Sequence, residues 1–189
     1  MANLCDVSLI ARGFKTKSNM DAFAQILRNV NKEETRARGK WLPYFDVGID
    51  VNYDDNTILG EGWCKWSADR LLDSYVQKAK ADNLNITSLE ELSEAFGIDI
   101  EILATEAGCN VGEHFLFENG EMTHEEYFDY NEYEVLDSYE AFLEENGDIL
   151  DEDTWNEYFD DGEEWITDGE PEEPFGIIEI REYPPVKDN

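Results

Sequence analysis

One short stretch of the chain carries acidic and amide residues at the spacing of a calcium-binding loop. Asp50, Asn52 and Asp54 occupy the first, third and fifth positions of the template. Glu61 occupies the twelfth position, and together these oxygen atoms would suit a hard cation. The sharp turn of that loop requires glycine at the sixth position, where this chain has Asp55. The flanking residues also alternate like strands, so we expect a solvated hairpin and no metal site.

The two histidines, His114 and His124, flank the dipeptide Asn119-Gly120. Neither lies in an HExxH motif or has a cysteine partner at metal-ligand spacing, so a cross-strand pair is favoured over a metal site. The chain also lacks a nucleophile elbow, a phosphate-binding loop and a dinucleotide fingerprint. Acidic residues are so abundant that no single pair of them indicates acid–base catalysis. We therefore expect no enzymatic activity and no cofactor, with an uncharacterised enzyme as a third alternative.

Charge is distributed very unevenly along the chain. The net charge is −32, from 14 Lys and Arg against 46 Asp and Glu. Residues 1–100 hold 12 basic and 16 acidic residues, whereas residues 101–180 hold 28 acidic residues and no Lys or Arg. Like charges one helical turn apart destabilise a helix by about 0.2–0.5 kcal/mol per pair. A domain that carries many such pairs gives up stability, which predicts that the acidic stretch has a binding role.

Some of these carboxylates are spaced so that they could imitate the phosphates of DNA. A predicted helix, residues 134–146, has an acidic stripe of about 15 Å on one face, with a carboxylate about every 5 Å. One DNA strand presents a charge about every 3.4 Å along its axis. The candidate partner-binding residues are Asp129, Glu132, Glu134, Asp137, Glu140, Glu144, Asp148, Asp151, Asp153, Glu157, Asp160, Asp161, Glu163 and Glu164.

The same charge limits which molecules could bind. Nucleic acid and anionic lipid would repel a chain of net charge −32, so we expect neither as a direct ligand and expect a basic nucleic-acid-binding protein instead. No apolar run approaches the roughly 20 residues of a membrane span, and the first residues lack the pattern of a signal peptide. Cys5, Cys64 and Cys109 are widely spaced and odd in number, which is typical of reduced thiols. We expect a soluble cytoplasmic protein.

The elements of the first hundred residues follow from hydrophobic periodicity. Four segments alternate apolar and polar residues as half-buried strands do: residues 3–12, 45–53, 57–66 and 98–102. Ser18 or Asn19 is expected to cap a helix between the first two, and Ser67 and Ser88 are expected to cap two more. Gly97 is expected to end the last helix. The order β-α-β-β-α-β predicts a ferredoxin-like antiparallel sheet with helices on one face, an α+β fold.

The remaining residues predict an extension of this sheet and an acidic elaboration. Residues 114–118 and 121–130 should form a hairpin through Asn119-Gly120. Helices are expected at 134–146 and from about Asp153, followed by a last strand from Phe175 to Tyr183. Two parts result: a ferredoxin-like domain with an added hairpin over residues 1–130, and an acidic helical extension ending in a strand over residues 131–189.

Several sequence features resemble those of a known family. They are the start with Met1, Asn3 and Cys5, the segment Trp63-Cys64-Lys65-Trp66-Ser67, and the stretch 105–108 followed by Phe115, Phe117 and Asn119-Gly120-Glu121. Over roughly residues 1–130 the chain resembles the YubB-like ferredoxin-like domain of phage and plasmid proteins. The resemblance implies an origin on a mobile element.

Taken together, these patterns predict a DNA-mimicking inhibitor that blocks the nucleic-acid channel of a host nuclease complex, such as a restriction enzyme or a CRISPR effector. The alternative is an accessory binding protein that does not mimic DNA and whose acidity serves solubility or tolerance of salt.

Overall fold

The computed structural model describes residues 4–28, 40, 42–43, 45–65, 67–80, 85–106, 111–129, 171–172 and 174–188. Within these ranges the strands are β1 (Leu4–Arg12), β2 (Phe45–Asn52), β3 (Thr57–Lys65), β4 (Asp99–Glu106), β5 (Val111–Glu118) and β6 (Glu121–Phe128). They form one sheet in the order β2-β3-β1-β4-β5-β6, and every neighbouring pair is antiparallel. The described residues also form three α-helices: α1 (Lys17–Arg28), α2 (Asp73–Lys80) and α3 (Leu89–Phe96). An antiparallel sheet with separate helices confirms the α+β class.

Helices α1 and α3 cover one face of the sheet and enclose the main core, whereas Val76 of α2 packs with Ile86 in a separate small cluster. Helix α1 buries Met20, Phe23 and Leu27 at the three-and-four spacing typical of the buried face of a helix. From the sheet, β1 contributes alternate residues such as Val7 and Leu9 to the same cluster. The period of two in the strands therefore sets which side chains meet the helices.

Two of the predicted helix caps are confirmed, and one is wrong. Ser67 caps the 3₁₀ turn Ala68–Leu71 that precedes α2, and Ser88 accepts a hydrogen bond from the Glu91 N–H at the start of α3. The cap of α1 is neither Ser18 nor Asn19. Its first turn is instead capped by Thr16, whose Oγ1 accepts the N–H of Asn19 at 3.2 Å. The helix thus begins at Lys17, before its first buried residue, Met20, and Thr16 also pairs in a bridge with Lys187.

Both predicted hairpins are present. The turn of the β5–β6 hairpin has φ of 50° at Asn119 and 92° at Gly120, the two left-handed positions that favour this dipeptide. The β2–β3 hairpin turns through residues 53–56, so the stretch that resembles a calcium loop is a hairpin, as expected. Asn52 Oδ1 accepts the N–H groups of Asp54 and Asp55 and is thereby used within the turn.

The predicted last strand, Phe175 to Tyr183, is wrong. Residues 177–180 form a turn in which the N–H of Glu179 donates to the carbonyl oxygen of Gly176 at 2.9 Å. The alternation of this segment reflects packing against the second face of the sheet, where Ile178 joins Ile10 and Leu116 in a small apolar cluster. The predicted helices at 134–146 and from Asp153 lie outside the described residues.

Candidate functional site

Of the fourteen candidate partner-binding acids, Asp129 lies among the described residues. It is exposed and directly follows β6. The other thirteen fall between residues 130 and 170, outside the described ranges: Glu132, Glu134, Asp137, Glu140, Glu144, Asp148, Asp151, Asp153, Glu157, Asp160, Asp161, Glu163 and Glu164. What the structure does provide is the position of the chain on either side of this acidic segment.

The two ends of the acidic segment lie next to each other. The chain leaves the sheet after β6, and on its return the N–H of Glu172 donates to Glu126 Oε1 at 2.7 Å. These two residues are separated by 46 positions in sequence. The chain therefore leaves the sheet and returns to it at the same edge, where a charge-assisted hydrogen bond joins the two points.

Glu101 on β4 fixes the returning chain against the sheet. Its carboxylate accepts the N–H groups of Gly176 at 2.8 Å, Ile177 at 3.1 Å and Ile178 at 3.0 Å. Burial raises the pKa of Glu101, but hydrogen bonds from His114 and from these N–H groups outweigh burial and hold the pKa below its ordinary value. An ionised carboxylate inside the sheet thus binds the C-terminal segment.

Two cations reinforce the same attachment. The Arg12 guanidinium donates to three carbonyl oxygens of the turn, at Ile178, Glu179 and Arg181, over 2.7–3.2 Å. Arg181 in turn pairs with Asp99 and Glu118 on the sheet. Both ends of the acidic segment are therefore attached to the ordered sheet.

Two acids of the stretch 101–180 do not belong to any acidic surface. Glu101 has no exposed area, and Glu113 is only 3% exposed. Glu113 points toward the helices, where it accepts hydrogen bonds from the Ser67 hydroxyl and the Ala68 N–H. Burial raises the pKa of Glu113 above its ordinary value, although those hydrogen bonds act in the opposite direction. Counting charge along the sequence therefore overstates the charge available to a partner.

The two histidines lie together on the face that the C-terminal segment covers. Their ring centroids are 4.7 Å apart, which confirms the predicted cross-strand pair. His114 is fully buried, and its Nε2 lies 2.8 Å from Glu101 Oε1. His124 is partly exposed, and its Nε2 lies 3.3 Å from Glu126 Oε2. Two imidazoles and a carboxylate thus converge at the edge of the sheet.

No sequence motif indicates that Glu101 and Glu126 join this group. A β-bulge between Leu116 and Phe117 shifts the register of the hairpin, so that His114 pairs with Glu126 and Leu116 with His124. Without it, the turn at Asn119-Gly120 would place His124 and Glu126 on the opposite face. A bulge of this kind has no reliable sequence signature.

No helix among the described residues is long and apolar enough to cross a membrane. No protein-family model, curated protein or solved structure matches this chain.

Proposed function

We propose that the protein is a non-enzymatic inhibitor whose acidic segment imitates DNA and occupies the nucleic-acid channel of a host defence nuclease, such as a restriction enzyme or a CRISPR effector. The observation that carries the proposal is the attachment of both ends of the acidic segment to one ordered sheet. The acidic segment, residues 130–170, holds 17 acidic residues and no Lys or Arg, and the mutual repulsion of so many like charges opposes folding. Attachment at both ends means that the chain carrying these carboxylates leaves from and returns to one edge of the sheet, beside Glu126 and Glu172.

A basic channel is the partner that this charge favours. Proteins that bind DNA attract phosphates with lysine and arginine, and much of their affinity comes from release of counterions. A concentrated array of carboxylates competes for the same side chains. Because most of this attraction is electrostatic, binding should be fast and should weaken steeply as salt rises.

The test is inhibition of DNA cleavage by a panel of purified restriction enzymes and CRISPR effectors. The full chain should inhibit at least one of them in competition with duplex DNA, and inhibition should fall as salt increases. Replacing Asp137, Glu140, Glu144 and Asp151 with lysine should abolish inhibition. Inhibition that is unchanged in this variant, or unchanged at molar salt, would contradict mimicry.

A charge-matched control separates mimicry from general acidity. Four exposed acids outside the acidic stretch serve this purpose when each is replaced by lysine: Asp6, Asp50, Asp54 and Glu61. Each set of four substitutions changes the net charge from −32 to −24. Mimicry predicts that the control still inhibits. Equal loss in both variants, or inhibition by neither the wild type nor the control, would favour the alternative that acidity serves solubility.

We also infer that β1 to β4, with α1 and α3, have the ferredoxin-like arrangement, and that the chain is related to the YubB-like proteins of mobile elements. The order β2-β3-β1-β4 with antiparallel neighbours supports the first inference. The second rests on the sequence features from Met1 to Glu121 and is consistent with an inhibitor of host defence.

A further inference from the structure

We propose that His114, His124 and Glu126 bind one Zn²⁺ ion at the edge of the sheet, on the face that the C-terminal segment covers. The three side chains come from the two strands of the β5–β6 hairpin. One ligand atom from each lies within 4.8 Å of the other two. The site is separate from the proposed DNA-mimicking surface and does not depend on it.

The first argument is an unused lone pair on His114. Within the described part of the chain, its Nδ1 is buried and has no hydrogen-bond partner. The other nitrogen, Nε2, lies 2.8 Å from Glu101, an acceptor that already receives three backbone N–H groups. An ionised carboxylate can only accept, so the neutral form of the ring, which is the form that binds metal, carries its proton on Nε2 and presents the lone pair of Nδ1 to His124 and Glu126.

The second argument is the hydrogen bond between His114 and Glu101. Histidines that bind metal almost always donate their other ring N–H to a carboxylate, a carbonyl oxygen or water. Such a partner fixes the tautomer and the orientation of the ring and makes the ligating nitrogen more basic. Glu101 is itself held rigidly, because Gly176, Ile177 and Ile178 donate to it. His114 is therefore oriented as a metal ligand.

The third argument is distance. With bonds of about 2.0–2.1 Å, tetrahedral ligands of Zn²⁺ lie about 3.3 Å from one another. His124 Nε2 and Glu126 Oε2 are 3.3 Å apart, and His114 Nδ1 is 4.0 Å from the same oxygen. His124 and Glu126 retain 24% and 14% side-chain exposure, so small rotations of these two can close the remaining gap while His114 stays fixed.

The ligand types select the metal. Ca²⁺ and Mg²⁺ prefer oxygen ligands, whereas two imidazoles with one carboxylate suit Zn²⁺. Three protein ligands leave a fourth position for water. Glu126 would bind the ion through Oε2 while Oε1 continues to accept the Glu172 N–H. Occupancy should therefore also steady the base of the acidic segment.

The test is isothermal titration calorimetry, in which Zn²⁺ is added to the full chain after a chelator has removed bound metal. The buffer contains physiological salt and an excess of Mg²⁺. We expect one saturable site per chain. The Co²⁺-loaded protein should show the intense visible absorption of a four-coordinate ion, and Zn²⁺ should slow hydrogen exchange at the Glu172 amide. Removing a residue that hydrogen-bonds to a metal ligand typically lowers metal affinity about 10–100-fold. Removing a ligand itself, through His124→Ala or Glu126→Gln, should lower the Zn²⁺ affinity at least as much.

The matched control is Glu125→Gln, which removes one negative charge from the neighbouring position on the opposite face of β6. Adsorption to a generally acidic surface predicts equal Zn²⁺ binding by wild type, His124→Ala and Glu125→Gln, and that result would overturn the proposal. So would the weak spectrum of six-coordinate Co²⁺ in the wild type. Circular dichroism establishes whether each variant is folded. If His124→Ala is unfolded, the Zn²⁺ affinity of Glu126→Gln tests the proposal instead.

Discussion

The guanidinium of Arg12 at the end of β1 donates to the carbonyl oxygen of Glu179 at 2.7 Å, across 167 positions of sequence. The same group also reaches the carbonyl oxygens of Ile178 and Arg181, and it lies 4.8 Å from the ring centre of Tyr183. One planar cation with several donors thus holds the C-terminal turn on the sheet.

Replacing Arg12 with methionine should release this turn while keeping an apolar stem. Hydrogen bonds to a charged group contribute about 1.5–3 kcal/mol each, and partial exposure lowers the sum, so we expect a loss of about 2–4 kcal/mol of unfolding free energy. Urea unfolding followed by tryptophan fluorescence measures it. Arg12→Lys keeps the positive charge but loses the planar group of several N–H donors, so its unfolding free energy should lie between those of wild type and the methionine variant. A methionine variant as stable as wild type would contradict this role.

Asn56 connects three separate segments from inside the β2–β3 turn. Its side chain accepts the Phe14 N–H at 2.9 Å and donates to the carbonyl oxygens of Phe14 and Pro184 at 3.0 and 2.8 Å. Its backbone has φ of 54°, which glycine adopts without strain and alanine adopts only at a cost in free energy.

Any substitution that removes the Asn56 amide should therefore lower the free energy of unfolding, and glycine should lower it less than alanine. Buried groups left without partners cost about 1–3 kcal/mol. Glycine keeps the left-handed backbone, so Asn56→Ala should be less stable than Asn56→Gly by about 1 kcal/mol. Thermal and urea unfolding of both variants test the order. Equal stability of the two would show that backbone strain contributes nothing at this position.

Gly62 and Gly48 offer a matched pair on neighbouring strands. A Cβ at Gly62 would lie 2.2 Å from the carbonyl oxygen of Asp46, whereas a Cβ at Gly48 meets nothing closer than the Glu61 oxygen at 3.6 Å. We expect Gly62→Ala to lose about 1–3 kcal/mol through overpacking and Gly48→Ala to be neutral or slightly stabilising. Urea midpoints of the two variants measure the difference. Similar midpoints would mean that β2 and β3 can separate without cost.

Much of the fold could be predicted because its signals are local. Alternation in β2 and the Asn119-Gly120 turn depend on residues adjacent in sequence, and so do the caps at Ser67 and Ser88. The surroundings of Glu101 could not be predicted in this way. Its alternation with Ile100 and Ile102 places it correctly on the second face, but that face is covered by Ile178 and its neighbours, 77 positions away. No local pattern encodes which distant segment covers a strand.

The candidate sites were harder to predict for related reasons. The histidine cluster depends on the bulge at Leu116, since a shift of one residue exchanges the two faces of β6. The acidic segment is obvious in the sequence, but its attachment through Glu126 and Glu172 joins residues that share no motif. Charge counts also treat every carboxylate as exposed, although Glu101 and Glu113 are buried.

Glu90, a half-buried carboxylate at the start of α3 and next to α2, provides a test in which pH is the variable. Burial raises the pKa of Glu90 above its ordinary value of 4.5, the Asp73 N–H lowers it in part, and the Asp73 carboxylate raises it again. Glu90 Oε1 accepts that N–H at 3.0 Å. Because the folded protein holds the proton more tightly than the unfolded chain, this group's contribution to stability is greatest at low pH.

That contribution is lost as pH rises from 4.5 through the raised pKa of the folded state, so the ionised side chain weakens the fold at neutral pH. Glu90→Gln keeps an oxygen for the Asp73 N–H and carries no charge. Its stability relative to wild type should therefore increase between pH 4.5 and neutrality and then level off. Urea unfolding across this range measures the change, with Glu94→Gln on the exposed side of α3 as the control. A constant difference between Glu90→Gln and wild type at every pH would mean that burial of Glu90 does not disfavour its ionised form.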